Sequence, residues 1–286
     1  MSRQFKFGLI GHNIGYSKSA EIFKAIFELK RMDGSFENFD LEPVKFEKEF
    51  QTVLDQEVSG LFVTIPYKSR VIPLLDEVTP VARSLNAVNS IAFRDNKLFG
   101  DNTDIIGFAL PLKPQAPQLN KSNALILGCG GSAKAAIFSL HTDFEISQFT
   151  VLGRSSKKLT EFHRSLEYIL LDSIINTAIL TDFNFDSSAK FAILVNCTPL
   201  GGWNHPGESP LPDGFKWEMT QIYYDLNYNS DNQIVSEAST NKVVTIDGSQ
   251  MLVGQALRSF QIWTGETVSF DDVYKRVFGR VNSPSN

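Results

Sequence analysis

The stretch from residue 123 to residue 155 constrains the fold of this chain more than any other. A short apolar run, Ala124-Leu125-Ile126-Leu127, has the length of a buried strand. Gly128-Cys129-Gly130-Gly131-Ser132-Ala133 follows and reads G-x-G-x-x-A. Ala135, Ala136, Ile137 and Leu140 then recur at helical spacing, and a second apolar run, Phe149-Thr150-Val151-Leu152, ends at Gly153-Arg154-Ser155. Strand, glycine turn, helix and strand make one βαβ unit of the dinucleotide-binding kind. Gly128 suits the tight turn out of the strand. Gly130, lacking a Cβ, lets the backbone approach a pyrophosphate, and Ala133 lets the helix sit close to the sheet. Gly131 and Ser132 open the helix, whose free N–H groups and partial positive charge face the phosphates. A purely structural turn is the plainer alternative.

The end of the second strand bears on which nucleotide is bound. An NAD site places Asp or Glu there to hold the ribose 2′-OH. Here the position carries Arg154, followed by Ser155, Ser156, Lys157 and Lys158. A guanidinium grips a 2′-phosphate through paired hydrogen bonds, whereas a carboxylate repels it. NADP is therefore expected over NAD, with a solvated basic turn as the other reading. The formal net charge of −5 makes local positive potential matter for an anionic cofactor and argues against nucleic acid as a partner.

At 286 residues the chain suits two domains. Apolar residues make up 42% and charged residues 21%, an ordinary globular balance. No run of apolar residues is long enough for a membrane helix, and the first residues, MSRQFKFGLIGHN, do not read as a signal peptide. Cys129 and Cys197 are the two cysteines, and reduced thiols in the cytoplasm are expected. His12, His141, His163 and His205 are scattered, so no metal site is expected.

The first hundred residues alternate strand and helix signals. Residues 5–10, FKFGLI, read as a strand, and Ile22, Phe23, Ile26, Phe27 and Leu29 form a helical stripe after it. Ser17 and Ser19 stand at the start of that helix, where N-capping and donation to a small carboxylate both fit. Residues 36–41 read as a second strand, and Phe46, Phe50, Val53 and Leu54 as a second helix. The strand beginning at Gly60 stops at Pro66, which puts Lys68 just beyond a strand end, where ligands of α/β sheets gather. Residues 69–78 are expected to be helical, with Pro73 disturbing the start. Residues 91–93 and 97–99 read as a hairpin turning at Asp95-Asn96, and Asp104 precedes an apolar stretch, where an N-cap explains it. Three prolines between residues 111 and 117 suggest a surface connector. Further buried strands are expected at residues 191–195, 222–226 and 243–246, a short connection at 180–185, and a helix from Ser249.

In this order the pieces resemble the shikimate dehydrogenase family over nearly the whole chain. Ser17-Lys18-Ser19 is similar to the family's serine pair for the substrate carboxylate. Val63-Thr64-Ile65-Pro66-Tyr67-Lys68 resembles V-T-x-P-x-K, whose lysine is catalytic, and Gly100-Asp101-Asn102-Thr103-Asp104 matches G-D-N-T-D, whose last aspartate partners that lysine. Ala87-Val88-Asn89 matches A-V-N. Gly153-Arg154-Ser155 resembles the N-R-T that holds the 2′-phosphate of NADP. Asn196-Cys197-Thr198-Pro199-Leu200-Gly201 resembles N-x-T-x-x-G on the nicotinamide side. Tyr224-Asp225-Leu226-Asn227-Tyr228 matches Y-D-x-x-Y, and the run from Gly248 through Met251 to Gln255-Ala256 resembles G-x-x-M-L-x-x-Q-A, whose glutamine reaches the substrate.

The resemblance implies reversible, NADP-dependent interconversion of 3-dehydroshikimate and shikimate. Lys68 and Asp104 would be catalytic. Ser17, Ser19, Thr64, Asn89, Tyr228 and Gln255 would bind substrate. The cofactor would be held by Gly128, Gly130, Gly131, Ser132, Ala133, Arg154, Ser155, Asn196, Thr198, Gly248 and Met251. The implied architecture is two α/β domains facing across a cleft. Residues 1–104 would form the substrate domain, completed by C-terminal helices over 249–286, and residues 105–248 a Rossmann-type NADP domain. The protein would be a monomer or homodimer with a small-molecule substrate and no nucleic-acid or membrane partner. The chain departs from the family pattern at Phe62 (usually Asn), Ala20 (Pro), Tyr16 (His) and Gly153 (Asn), and the Pro and Thr after Y-D-x-x-Y are missing within residues 229–232. Phe62 is expected to loosen the surroundings of Lys68. Quinate or a related cyclohexane acid as substrate, and an idle NADP-binding homologue, are the alternatives.

Overall fold

A computed structural model describes residues 4–229 and 231–279, the side chains at 187–189 excepted. The missing family Pro falls in part on Ser230, and the end of the expected C-terminal helical segment on residues 280–286; both lie outside the described residues. The chain divides into two compact units. One holds the described residues up to Gly107 and from Leu252 onward; the other is Phe108–Met251.

In the first unit the elements are β1 (Phe5–Gly11), α1 (Ser19–Lys30), β2 (Gly34–Asp40), α2 (Phe46–Leu54), β3 (Gly60–Val63), β4 (Glu77–Val78), α3 (Pro80–Leu85), β5 (Ser90–Arg94), β6 (Lys97–Asp101) and the start of α4 (Asp104–Ala109). Its six-stranded sheet has the order β2-β1-β3-β5-β6-β4. β1 pairs in parallel with β2 and β3, while β3–β5 and β5–β6 are antiparallel, so this sheet is mixed. The β5–β6 hairpin turns at Asp95 and Asn96, both in left-handed backbone (φ 49° and 58°), a conformation that short polar side chains tolerate.

The helix expected over residues 69–78 is not formed. A short 3₁₀ turn at Ile72–Leu74 is followed by β4, which pairs in parallel with β6 at Phe99 and Gly100. Pro73 removes an N–H and clashes with the preceding turn, and the strand pairing takes the remaining residues. The connector expected between residues 111 and 117 is likewise ordered, as a 3₁₀ helix over Leu110–Gln115 and α5 (Ala116–Leu119), held by buried Leu112 and Leu119.

The second unit continues with β7 (Asn123–Leu127), α6 (Gly131–Phe144), β8 (Gln148–Gly153), α7 (Ser156–Glu167), β9 (Ile174–Ile179), β10 (Ile193–Asn196), β11 (Ile222–Asp225), α8 (Gln233–Thr240) and β12 (Val244–Ile246). Its sheet is parallel at every pairing, in the order β12-β11-β10-β7-β8-β9. Read from β9, that is the doubly wound order, with the direction of winding reversing between β7 and β10. The glycine turn after β7 and the Asn196 loop after β10 therefore meet at the switch point where ligands of such sheets bind. Ala124 to Leu127 are fully buried, as a strand covered on both faces requires. Three elements of this unit, α7, β9 and α8, lie outside the sequence expectations: α7 follows the basic turn, β9 is an edge strand with exposed and half-buried positions, and α8 is capped by Asn232, whose carboxamide oxygen accepts from the N–H groups of Ile234 and Val235.

The chain ends in α9 (Gly248–Thr264) and α10 (Phe270–Phe278). Within the first unit, Val253, Ala256 and Phe260 of α9 join Phe7, Phe23, Ile26 and Phe62 in one apolar cluster. No helix of the described residues is long and apolar enough to cross a membrane.

Candidate active site

The turn that follows β3 presents Lys68 because its backbone is tied down on both sides. The Val88 N–H donates to the Lys68 carbonyl (2.8 Å) and the Tyr67 N–H to that of Thr64 (2.8 Å). Tyr67 is fully buried, stacks on Phe46 with centroids 4.1 Å apart, and donates its hydroxyl to the Leu41 carbonyl (2.5 Å). A side chain locked one residue away leaves the lysine little choice of origin, and its ammonium reaches Asp104 Oδ2 at 2.5 Å. The pair is largely enclosed, the side chains being 16% and 8% exposed. A charge pair taken out of water this far is kept only where its remaining lone pairs and protons find partners.

Asp104 finds such a partner in Asn89, which is 2% exposed and lies just before β5. Asn89 Nδ2 lies 2.8 Å from Asp104 Oδ1, 3.0 Å from Thr103 Oγ1 and 3.3 Å from Gln255 Oε1. The Thr103 backbone N–H donates to Asn89 Oδ1 (2.7 Å), and the Thr103 hydroxyl lies 2.9 Å from Ser259 Oγ of α9. The N-cap reading of Asp104 gives way here. Its carboxylate faces Lys68 and Asn89, and its own N–H is capped by Asn102 Oδ1 (3.2 Å).

Ser17 and Ser19 sit together: the Ser17 hydroxyl donates to Ser19 Oγ (3.1 Å) and accepts from the Ser19 N–H (3.2 Å). Lys18, not a serine, is the cap residue of α1, and its side chain makes no capping bond. The structure thus brings Lys68, Asp104, Asn89 and Gln255 into one bonded network in the first unit and pairs the two serines. Thr64, also in this unit, is half-buried. Tyr228 is half-buried in the second unit, after β11. Thr103 and Ser259 are the network members that residue-type reasoning misses. Ser259 stands four residues after Gln255, on the same helix face, and that spacing is the available signal.

Phe62 is taken up in an apolar cluster. Its ring packs among Phe23 (5.7 Å), Phe36 (6.2 Å) and Trp263 (4.7 Å), in a cluster to which the neighbouring strand residues Leu61 and Val63 do not belong. Strand alternation sends it to the face opposite theirs. Its register partner, Ser90, has a buried hydroxyl with no hydrogen-bond partner among the described residues.

In the second unit, Gly128 has φ +106°, a left-handed conformation, and a Cβ there would stand 3.1 Å from the Cys197 carbonyl. Gly130, the cap residue of α6, is different: its backbone is extended and nothing lies within 4 Å of where a Cβ would be. The protein itself does not require glycine at Gly130, which is exposed at the start of α6. Gly131 starts α6, half-buried Ser132 follows, and fully buried Ala133 packs on the sheet. Gly153 has a packing cause, because a Cβ would come within 3.0 Å of Leu159 and 3.2 Å of Cys129 Sγ. Arg154 follows it, exposed and with no carboxylate partner among the described residues. Ser155 caps α7, accepting from the Lys158 N–H (3.4 Å).

The Asn196 loop is held from inside. Asn196 Oδ1 accepts from the Thr198 N–H (2.9 Å) and hydroxyl (2.7 Å), and Nδ2 donates to the Leu200 carbonyl and Asp225 Oδ2 (both 3.0 Å). Fully buried Asp225 also accepts from Tyr223, Asn232 and Asn227. Burial raises its carboxyl above the usual range despite these donors, which pull the other way. Burial likewise pushes up the thiols of Cys129 and, more strongly, Cys197. Gly248 and Met251 have packing roles: a Cβ on Gly248 would collide with the Leu226 carbonyl oxygen, and Met251 lies in the core of the unit. Among the described residues no cluster of His, Cys, Asp and Glu is arranged for a metal.

The chain's likeness to known proteins agrees with this geometry. Residues 9–91 match the shikimate dehydrogenase substrate binding domain and residues 248–278 the shikimate 5′-dehydrogenase C-terminal domain. A shikimate dehydrogenase (NADP(+)) of Chlorobaculum tepidum is 34% identical, over 96% of this chain and 95% of its own. A crystal structure of a shikimate dehydrogenase with NADP+ superposes with a TM-score of 0.86 at 27% identity, covering 97% and 96% of the two chains. The Thermus thermophilus enzyme with NADP(H) and shikimate gives 0.81 at 25%, covering 96% and 98%.

Proposed function

The chain belongs to the shikimate dehydrogenase family, and from that premise we propose how its residues interconvert 3-dehydroshikimate and shikimate with NADP. The observation that carries the reading is the Lys68 ammonium, held 2.5 Å from Asp104 in a nearly enclosed network.

NADPH, when bound, supplies the hydride, and the protein supplies placement and a proton. Gly128, Gly130 and the start of α6 fit its pyrophosphate, and Arg154 with Ser155 fits the 2′-phosphate. The Asn196–Thr198 loop and the segment from Gly248 to Met251 would line the nicotinamide side. In the reducing direction Lys68 Nζ gives a proton to the carbonyl oxygen of the substrate, and in oxidation it takes that proton back from the hydroxyl. Asp104 holds the ammonium in place and faces the neighbouring hydroxyl. Ser17 and Ser19 donate to the substrate carboxylate, and Thr64, Asn89, Tyr228 and Gln255 complete its polar surroundings. Among the nitrogen-bound protons of Gln255, one goes to the Leu252 carbonyl (2.9 Å), which leaves the other for a substrate oxygen. The domain roles follow: the unit up to Gly107 and from Leu252 binds substrate, and the unit Phe108–Met251 binds NADP. A monomer or homodimer in the cytoplasm completes the proposal; the two free cysteines suit a reducing compartment.

The test is absorbance at the nicotinamide band with purified protein, shikimate or quinate, and NADP or NAD. Turnover with shikimate and NADP is expected to exceed the other three combinations. Faster turnover of quinate would move the substrate assignment, and no turnover by folded protein would overturn the reading.

A further inference from the structure

We propose that Thr103 and Ser259 are positioning residues for the reaction: together with the Thr103 backbone N–H, their hydroxyl pair holds the amide of Asn89 so that its NH₂ group, not its oxygen, faces Asp104. The inference rests on the reading of Lys68 and Asp104 as the proton-handling pair.

Few protons serve this closed space, and each can be assigned. Ser259 is fully buried, and its hydroxyl has no hydrogen-bond partner other than Thr103 Oγ1 among the described residues, at 2.9 Å. Its one proton therefore goes to Thr103 Oγ1, because the opposite order strands a buried O–H. The Thr103 proton then goes to Asn89 Oδ1 (3.2 Å), which the Thr103 backbone N–H also reaches (2.7 Å). Asn89 Nδ2 has two protons and three acceptors in reach, Asp104 Oδ1 (2.8 Å), Thr103 Oγ1 (3.0 Å) and Gln255 Oε1 (3.3 Å); with Thr103 Oγ1 already taking the Ser259 proton, the two go to Asp104 and Gln255. Each donor is used once. With the amide turned over, its oxygen would face the Asp104 carboxylate and Gln255 Oε1, acceptor against acceptor, while its NH₂ faced the Thr103 N–H. The chain Ser259–Thr103–Asn89 thus leaves Asp104 Oδ2 for Lys68. Without the Thr103 hydroxyl, the Ser259 proton has no acceptor and one lone pair on Asn89 Oδ1 is open.

The experiment measures kcat and KM for shikimate oxidation by NADP in the full chain and its variants, with circular dichroism as the check on folding. Thr103→Val is expected to lower kcat about tenfold while KM for shikimate moves less than about threefold. Thr103→Ser, which keeps the hydroxyl, is expected to return kcat to within about twofold of the parent. Ser259→Ala is expected to lower kcat about threefold, and the double variant no further than Thr103→Val, since Ser259 acts through that hydroxyl. Parent-like kcat in Thr103→Val, no recovery in Thr103→Ser, or losses that multiply in the double variant would each overturn the proposal. If Thr103→Val does not fold, Ser259→Ala decides, and unchanged kcat overturns it. Lys68→Ala in the same assay separates the two readings. If that variant is inactive while Thr103→Val is unaffected, only the positioning role falls; if it keeps full activity, the proton-handling reading falls with it.

Discussion

Lys68 and Arg154 are both cations assigned to one reaction, and the structure treats them in opposite ways. Lys68 is nearly enclosed, paired with Asp104 at 2.5 Å and backed by Asn89, Thr103 and Ser259. Arg154 is exposed at the end of β8, with no carboxylate partner among the described residues. A proton donor has to be aimed before the substrate arrives, and a network of buried bonds aims it. A guanidinium that recognises a phosphate is better left unpaired, since a resident carboxylate would have to be displaced. One region is pre-organised and the other is available.

The comparison can be broken from either side. Asp104→Ala should lower kcat for shikimate about 100-fold, because the ammonium loses the group that aims it; a loss confined to KM would make Asp104 a binding residue only. Arg154→Ala should raise KM for NADP about tenfold and leave NAD unchanged, with kcat retained. Equal loss for both cofactors would show that the basic turn does not read the 2′-phosphate.

Smaller effects sharpen the contrast between interior and surface. Burial raises the Asp225 carboxyl, so its contribution to stability is full below the ordinary value of 3.8 and is lost as pH rises through the raised one. Asp225→Asn does not titrate. It should therefore lower Tm most near pH 4 and less near pH 7; a penalty that grows with pH would mean that the donors from Asn196, Tyr223, Asn227 and Asn232 outweigh burial. Ser90→Ala should leave stability unchanged or raise it by up to about 1 kcal/mol, read as Tm, because the hydroxyl opposite Phe62 is buried without a partner among the described residues. A clear drop in Tm would reveal a partner for that hydroxyl.

The glycine turn is the most legible part of the chain. Strand, turn and helix are local: Gly128 takes the left-handed turn out of the strand, and Ala133 is buried two residues into the helix. Lys68 is far less legible on its own. A lysine after a strand end is usually a solvated one, and its partner is 36 positions away; the motif resemblance, not the spacing, singles it out. Ser259 is out of reach, since its partner Thr103 is 156 residues distant. Phe62 is hard to place for a related reason, because the sequence does not say which face of β3 it takes. Residues 69–78 depart from their helical pattern because β4 owes its existence to pairing with β6, a contact no local pattern encodes.

The central claim concerns one amine, and Lys68→Ala addresses it most directly when turnover and shikimate binding are measured on the same sample. With Lys68 as the proton donor, kcat falls by roughly 10² to 10⁴ while the dissociation constant of shikimate changes only about threefold. A folded variant that still turns over at the parent rate would contradict that role.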